Sequence, residues 1–166
     1  MSEERQVRPI SGWPLLPVAL LLYLLFPVLM WLSFANGTDT GDGRIPIAAA
    51  RTYGARAIGV DIDPQRIAEA NANAKAAGVT HLVTFKLEDA LTTDLSQVTV
   101  VTLYLLSSSN LKLRPILTRQ LQPGARIVAH NFAMGDWEAE KTETFRDEDG
   151  RMRTIYRWTT DGKVRQ

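Results

Sequence analysis

The chain reads as an α/β domain: a mostly parallel sheet covered by helices, ending in an antiparallel hairpin and preceded by an apolar N-terminal segment. Three observations predict this. Strand-like and helix-like stretches alternate from Gly37 onward, which is the pattern of a parallel sheet with crossover helices. Val98 to Leu106 is a continuous apolar run, as expected of a central strand buried on both faces. Thr142 to Thr160 alternates on either side of Asp149-Gly150, as hairpin arms do around their turn.

Taken in order, the first element is the apolar stretch Pro14 to Ala35, in which only Ser33 is clearly polar. It follows a tail of residues 1–13 and precedes the domain, 36–166. Its length meets the roughly 20 residues that a membrane-spanning helix needs, and Trp13, Tyr23 and Trp31 suit interface belts. A single-pass membrane location is therefore expected. A cleaved signal peptide and a buried element of the domain are the competing readings. Arg5 and Arg8 are opposed by Glu3 and Glu4, so the charge bias on orientation is small. Val28 to Ala35 also reads as the first strand of the sheet, and one stretch cannot fully serve both purposes.

Ile45 to Gly54 is helix-forming, with its stop at the glycine. Ala55 to Asp63 is a short apolar strand ending in acids, and Pro64 opens an alanine-rich helix that Gly78 closes. His81 to Asp89 alternates like a strand and again ends in acids. After the central strand, Ser107 to Gly124 reads as a helix and Ala125 to Phe132 as another strand. The arginines of the hairpin, Arg146, Arg151, Arg153 and Arg157, are mixed with Asp147, Glu148 and Asp149; this reads as a solvated edge that discourages strand pairing.

Composition narrows the chemistry. The 166 residues carry a net charge of +1, which gives no global argument for a nucleic-acid partner. There is no cysteine, so disulfides, thiolate metal sites and cysteine nucleophiles are excluded. The two histidines, His81 and His130, lie far apart in sequence, and no metal site is expected.

The residues that carry chemistry cluster at predicted strand ends. Thr40-Gly41-Asp42-Gly43-Arg44 is a loop between a strand and a helix, with glycines two apart that let backbone approach a ligand. Asp61 follows Gly43 by 18 residues at the tip of the next strand, where a doubly wound fold places the carboxylate that holds a ribose hydroxyl pair. Asp63 reads as the cap of the helix beginning at Pro64. Glu88 reads as a solvated turn residue. For Asp89 a second reading stands beside that one, an acceptor for the exocyclic amine of an adenine.

At this point the chain resembles a known family. Gly41 to Gly78, with Glu88-Asp89, looks like class I S-adenosylmethionine-dependent methyltransferases, which implies a Rossmann-like sheet and S-adenosyl-L-methionine as cofactor. Val100 to Phe132, followed by Gly135-Asp136-Trp137, is similar to the branch of mitochondrial lysine methyltransferases acting on ATP synthase c-subunit and adenine nucleotide translocase, and their prokaryotic relatives. The resemblance implies a cofactor-facing set of Asp39, Gly41, Asp42, Gly43, Asp61 and Asp89. It also implies that Tyr104 lines the methyl-transfer site with Asn110 assisting, and that the acceptor is a protein lysine. Read from the residues alone, Tyr104 suits a core aromatic equally well. His130 has two readings, a proton acceptor or a structural histidine, and the structural one is preferred. Need of a cytosolic cofactor places the domain on the cytoplasmic side.

The departures carry weight too. The family loop is Asp-x-Gly-x-Gly-x-Gly, whereas Gly37 to Gly43 here lacks the first acid and has Asp39 in place of the first glycine. Losing a charge-assisted hydrogen bond costs about 1.5–3 kcal/mol, or roughly ten- to hundred-fold in affinity. Two alternatives follow: a degenerate domain with weak or no cofactor binding, and a nicotinamide-dependent oxidoreductase. The second lacks the third glycine of its fingerprint, since Pro46 stands there.

Overall fold

The structure, a computed structural model, describes residues 41–166 in full and residues 30–35 as backbone. Seven strands form one sheet in the order β3-β2-β1-β4-β5-β7-β6. In chain order the elements are β1 (Met30–Ala35), α1 (Arg44–Tyr53), β2 (Arg56–Asp61), α2 (Pro64–Ala76) and β3 (Val83–Leu87). They continue with β4 (Val100–Tyr104), α3 (Ser107–Gln120), β5 (Arg126–His130), β6 (Lys141–Arg146) and β7 (Met152–Thr159). The first five strands are parallel. β7 runs antiparallel between β5 and β6.

The alternation expected from sequence is thus present, each strand being a residue or two shorter at its ends. β1 is paired on both sides, Leu32 lying opposite Ile58 of β2 and Val101 of β4. This withdraws Met30 to Ala35 from the expected membrane span, because their backbone groups are committed to the ladder. It leaves Pro14 to Leu29, short of the roughly 20 residues a spanning helix needs, and these lie outside the described residues. Among the described residues no helix is long and apolar enough to cross a membrane.

Helices cover both faces. On one, Ile47, Ala49 and Ala50 of α1 and Ala74 of α2 pack against Ala57, Val83, Val100 and Val128. On the other, Leu113 and Leu117 of α3 pack against Val101, Leu103, Ile127 and Trp158. Adjacent residues of β4 therefore face opposite layers, which is why the strand reads as an unbroken apolar run. Trp158 is 1 % exposed and its indole N–H donates to the Trp137 carbonyl at 2.9 Å, which seats the hairpin on the core.

The hairpin turn is wider than expected. Arg146 pairs with Met152, so the connection spans Asp147 to Arg151 rather than a tight Asp149-Gly150 turn. Asp147 organises it, accepting from the Arg151 N–H at 2.8 Å and from Arg153 Nε at 2.7 Å.

Candidate active site

Parallel strands send their C-terminal ends to one edge of the sheet, and the order reverses between β1 and β4. That switch point is where open α/β sheets leave a crevice. The loop Gly41–Gly43 enters α1 here. Gly43 has φ 80°, and a Cβ at that position would lie 2.4 Å from Phe85 Cζ; both the conformation and the close approach require glycine. Asn73 of α2 ties the loop down, its amide donating to the Asp42 carbonyl at 3.0 Å.

Asp42 has a local task. Its carboxylate accepts from Arg44 Nε at 2.9 and 3.0 Å, from Arg44 Nη2 at 2.6 Å and from the Arg44 backbone N–H at 3.2 Å. Asp42, part of the cofactor-facing set that the resemblance implies, is thus ion-paired with Arg44 within the loop. Asp39 lies outside the described residues.

Gly41 stands over Asp61. A Cβ on Gly41 would come within 3.1 Å of Asp61 Oδ2 and 3.0 Å of the Arg66 side chain. Asp61 closes β2 and is 7 % exposed; its Oδ1 accepts from the Asp63 N–H at 2.8 Å, while among the described residues its buried Oδ2 has no partner. A buried carboxylate oxygen left open costs free energy unless something donates to it. Glycine is what keeps the approach to that oxygen clear.

Asp61 and Asp89, far apart in sequence, meet in one cleft of about 200 Å³ that Ile62, Leu105, Ser109 and Lys112 also line. Asp89 is exposed and structures its own turn: Oδ1 accepts from the Leu91 N–H at 2.9 Å, and its carbonyl accepts from the Thr92 and Thr93 hydroxyls. Three acids, Asp61, Glu88 and Asp89, line this cleft together with apolar Val60, Ile62, Leu105 and Leu113, a mixture of apolar surface and polar groups that suits a nucleoside. Sequence reasoning does not reach Ser109 and Lys112, because the apolar pattern of α3 carries no sign of which polar residues face a cleft.

Tyr104 and Asn110 do not line that cleft. Tyr104 ends β4, half-buried, and stacks on His130 at the end of β5 with centroids 4.4 Å apart and 13° between planes. Burial, and then the nearby Arg153 charge, lower the pKa of His130 to about 4, with Asp147 opposing weakly. Asn110 is fully buried in the first turn of α3. Its amide donates to the Phe132 carbonyl at 2.9 Å, and among the described residues its Oδ1 has no partner.

Comparison with known proteins gives concordant results. The family model described as the ANTKMT methyltransferase domain matches residues 40–141. A protein-lysine N-methyltransferase of Saccharolobus islandicus (strain REY15A) is 41 % identical over 118 residues, covering 70 % of this chain and 72 % of that protein. The ATP synthase c-subunit lysine N-methyltransferase of Homo sapiens is 32 % identical over 59 % of this chain; this chain spans 42 % of that longer relative. Among solved structures, an RNA methyltransferase from Salinibacter ruber in complex with S-adenosyl-L-homocysteine superposes with a TM-score of 0.73. It shares 47 % identity over 82 % of this chain and 84 % of that one.

Proposed function

We propose that this chain, which belongs to the ANTKMT methyltransferase domain family, methylates lysine side chains of a protein. It is an S-adenosylmethionine-dependent methyltransferase. That membership sets aside the nicotinamide-dependent oxidoreductase, and the degenerate domain is the less favoured reading. The lysine assignment rests on similarity to lysine-modifying relatives.

One observation carries the cofactor site: the buried Oδ2 of Asp61 beneath Gly41, without a partner among the described residues, in a cleft that Asp61 lines with Asp89. In this reading Asp61 accepts from the ribose hydroxyls, and Asp89 accepts from the adenine amine. The backbone of the Gly41–Gly43 loop lies beside the methionine portion in this reading. Bound S-adenosylmethionine supplies a methyl group already activated on a sulfonium. What remains for the chain is to align the nucleophile and exclude water. The incoming lysine must be neutral, and the half-buried surroundings of Tyr104 favour an amine over an ammonium. With the cofactor bound, its methyl group would pass to the lysine nitrogen, which would release its proton to solvent.

A second reading, methylation of RNA, is favoured by the solved relative at 47 % identity. The test uses full-length protein, methyl-labelled S-adenosylmethionine, and poly-L-lysine and bulk tRNA as acceptors. Label is expected in methyl-lysine. Asp61→Ala is expected to weaken S-adenosylhomocysteine binding by about ten- to hundred-fold, the worth of one charge-assisted hydrogen bond. Label in tRNA alone would replace the lysine reading with the RNA one. No label and no binding by the unaltered chain would leave the degenerate domain.

A further inference from the structure

We propose that His130 is a positioning residue for methyl transfer, holding Tyr104 by ring stacking and held in turn by the C-terminal hairpin. The inference rests on the reading that Tyr104 lines the methyl-transfer site. Tyr104 and His130 end neighbouring parallel strands, where Leu103 lies opposite Ala129, so the two side chains emerge side by side at the crevice edge. Their near-parallel rings, 4.4 Å apart, restrict rotation of the tyrosine. A side chain fixed before substrate arrives loses less rotamer entropy on binding.

His130 does not stand alone. The next residue, Asn131, has φ 61°, a conformation disfavoured for residues other than glycine though milder for asparagine. Two reciprocal hydrogen bonds from β7 hold it there: its N–H donates to the Thr154 carbonyl at 2.7 Å, and its Oδ1 accepts from the Thr154 N–H at 2.9 Å. Arg153, beside Thr154, is fixed by Asp147 of the hairpin turn at 2.7 Å. The hairpin therefore pins the backbone on one side of the imidazole and sets a cation near its ring.

This arrangement opposes the proton-acceptor reading. With part of its surface buried and the charge of Arg153 near it, His130 stays neutral well below physiological pH. Such a weak base is poorly matched to an ammonium whose ordinary pKa is about 10.4. A neutral planar ring is what a stacking role requires, and phenylalanine supplies one as well.

The experiment compares His130→Ala and His130→Phe with the unaltered full-length chain. Three quantities are measured: S-adenosylhomocysteine affinity by calorimetry, kcat and KM for methyl transfer to poly-L-lysine, and Tyr104 ring proton resonances. Those resonances are assigned with Tyr104→Phe. The alanine variant is expected to lose about ten- to hundred-fold in kcat, the scale of a misplaced reacting group. Its cofactor affinity should be unchanged, and its Tyr104 signals should move. The phenylalanine variant is expected to recover most of kcat and to retain a stacked tyrosine. Equal inactivity of the two variants would overturn the proposal in favour of a proton-carrying histidine. Unaltered kcat and unmoved Tyr104 signals in the alanine variant would also overturn it. If the unaltered chain transfers nothing to lysine, the lysine reading fails by itself, and the Tyr104 resonances still decide whether His130 holds that ring.

Discussion

Asp61 and Asp63 are two residues apart and are used differently. Asp63 turns its carboxylate to the Gln65 N–H at 2.8 Å and caps α2, whereas one buried oxygen of Asp61, near Gly41, has no partner among the described residues. The glycines also differ in what they require. Alanine at Gly43 meets both an adverse φ of 80° and the Phe85 ring at 2.4 Å, whereas Gly54, at φ 63°, has open space around it. Gly43→Ala is expected to cost about 2–5 kcal/mol, the sum of left-handed strain and overpacking, and Gly54→Ala only about 1–2 kcal/mol. Chemical denaturation of both variants checks this; equal losses would show that Phe85 moves aside freely.

Elements ending at the crevice are tuned by their caps. α2 begins with Pro64 in its first turn behind the Asp63 cap. Asp63→Ala is expected to lower stability by about 1 kcal/mol, the usual worth of a cap. S-adenosylhomocysteine affinity should be nearly unchanged, since the Asp63 N–H that supports Asp61 Oδ1 remains. Calorimetry showing a ten-fold loss of affinity instead would mean that Asp63 shares in holding the cofactor. α3 is bounded less sharply: it runs through Pro115 and stops at Gln120, short of Gly124, where the sequence reading ends it. Its first turn is tied by Asn110 to the segment after β5, a link that joins two neighbouring strand ends.

For the whole molecule, a half-buried neutral histidine makes stability depend on pH. His130 titrates near 4 when folded and at its ordinary 6.5 when unfolded, so between these values the unfolded chain binds more protons. Stability contributed by this group is full above about 6.5 and is lost as pH falls toward 4. Asp136 and Asp147, held low by hydrogen bonds from Arg114 and Arg153, act in the opposite range. Their contribution is present above 3.8 and is lost only below it, so they leave the upper window to the histidine. His130→Phe is expected to flatten the decline in denaturation midpoint between pH 6.5 and 4. An unchanged slope in that variant would assign the decline to other groups.

Element order, the parallel sheet and hairpin, and the position of Asp61 at the tip of β2 were legible in the residues by themselves. Periodicity and glycine or proline stops are local, and β4 announces its burial by being apolar on both faces. Met30 to Ala35 was ambiguous, because an apolar run suits a membrane and a central strand alike. Only pairing with β2 and β4 decided it. The tertiary structure alone assigned Asp42 to Arg44, buried Asn110, widened the hairpin turn around Asp147 and set His130 against Tyr104. Each of these depends on which side chain meets which across a strand register or a turn. That is set by packing between segments distant in sequence, which spacing along the chain does not encode.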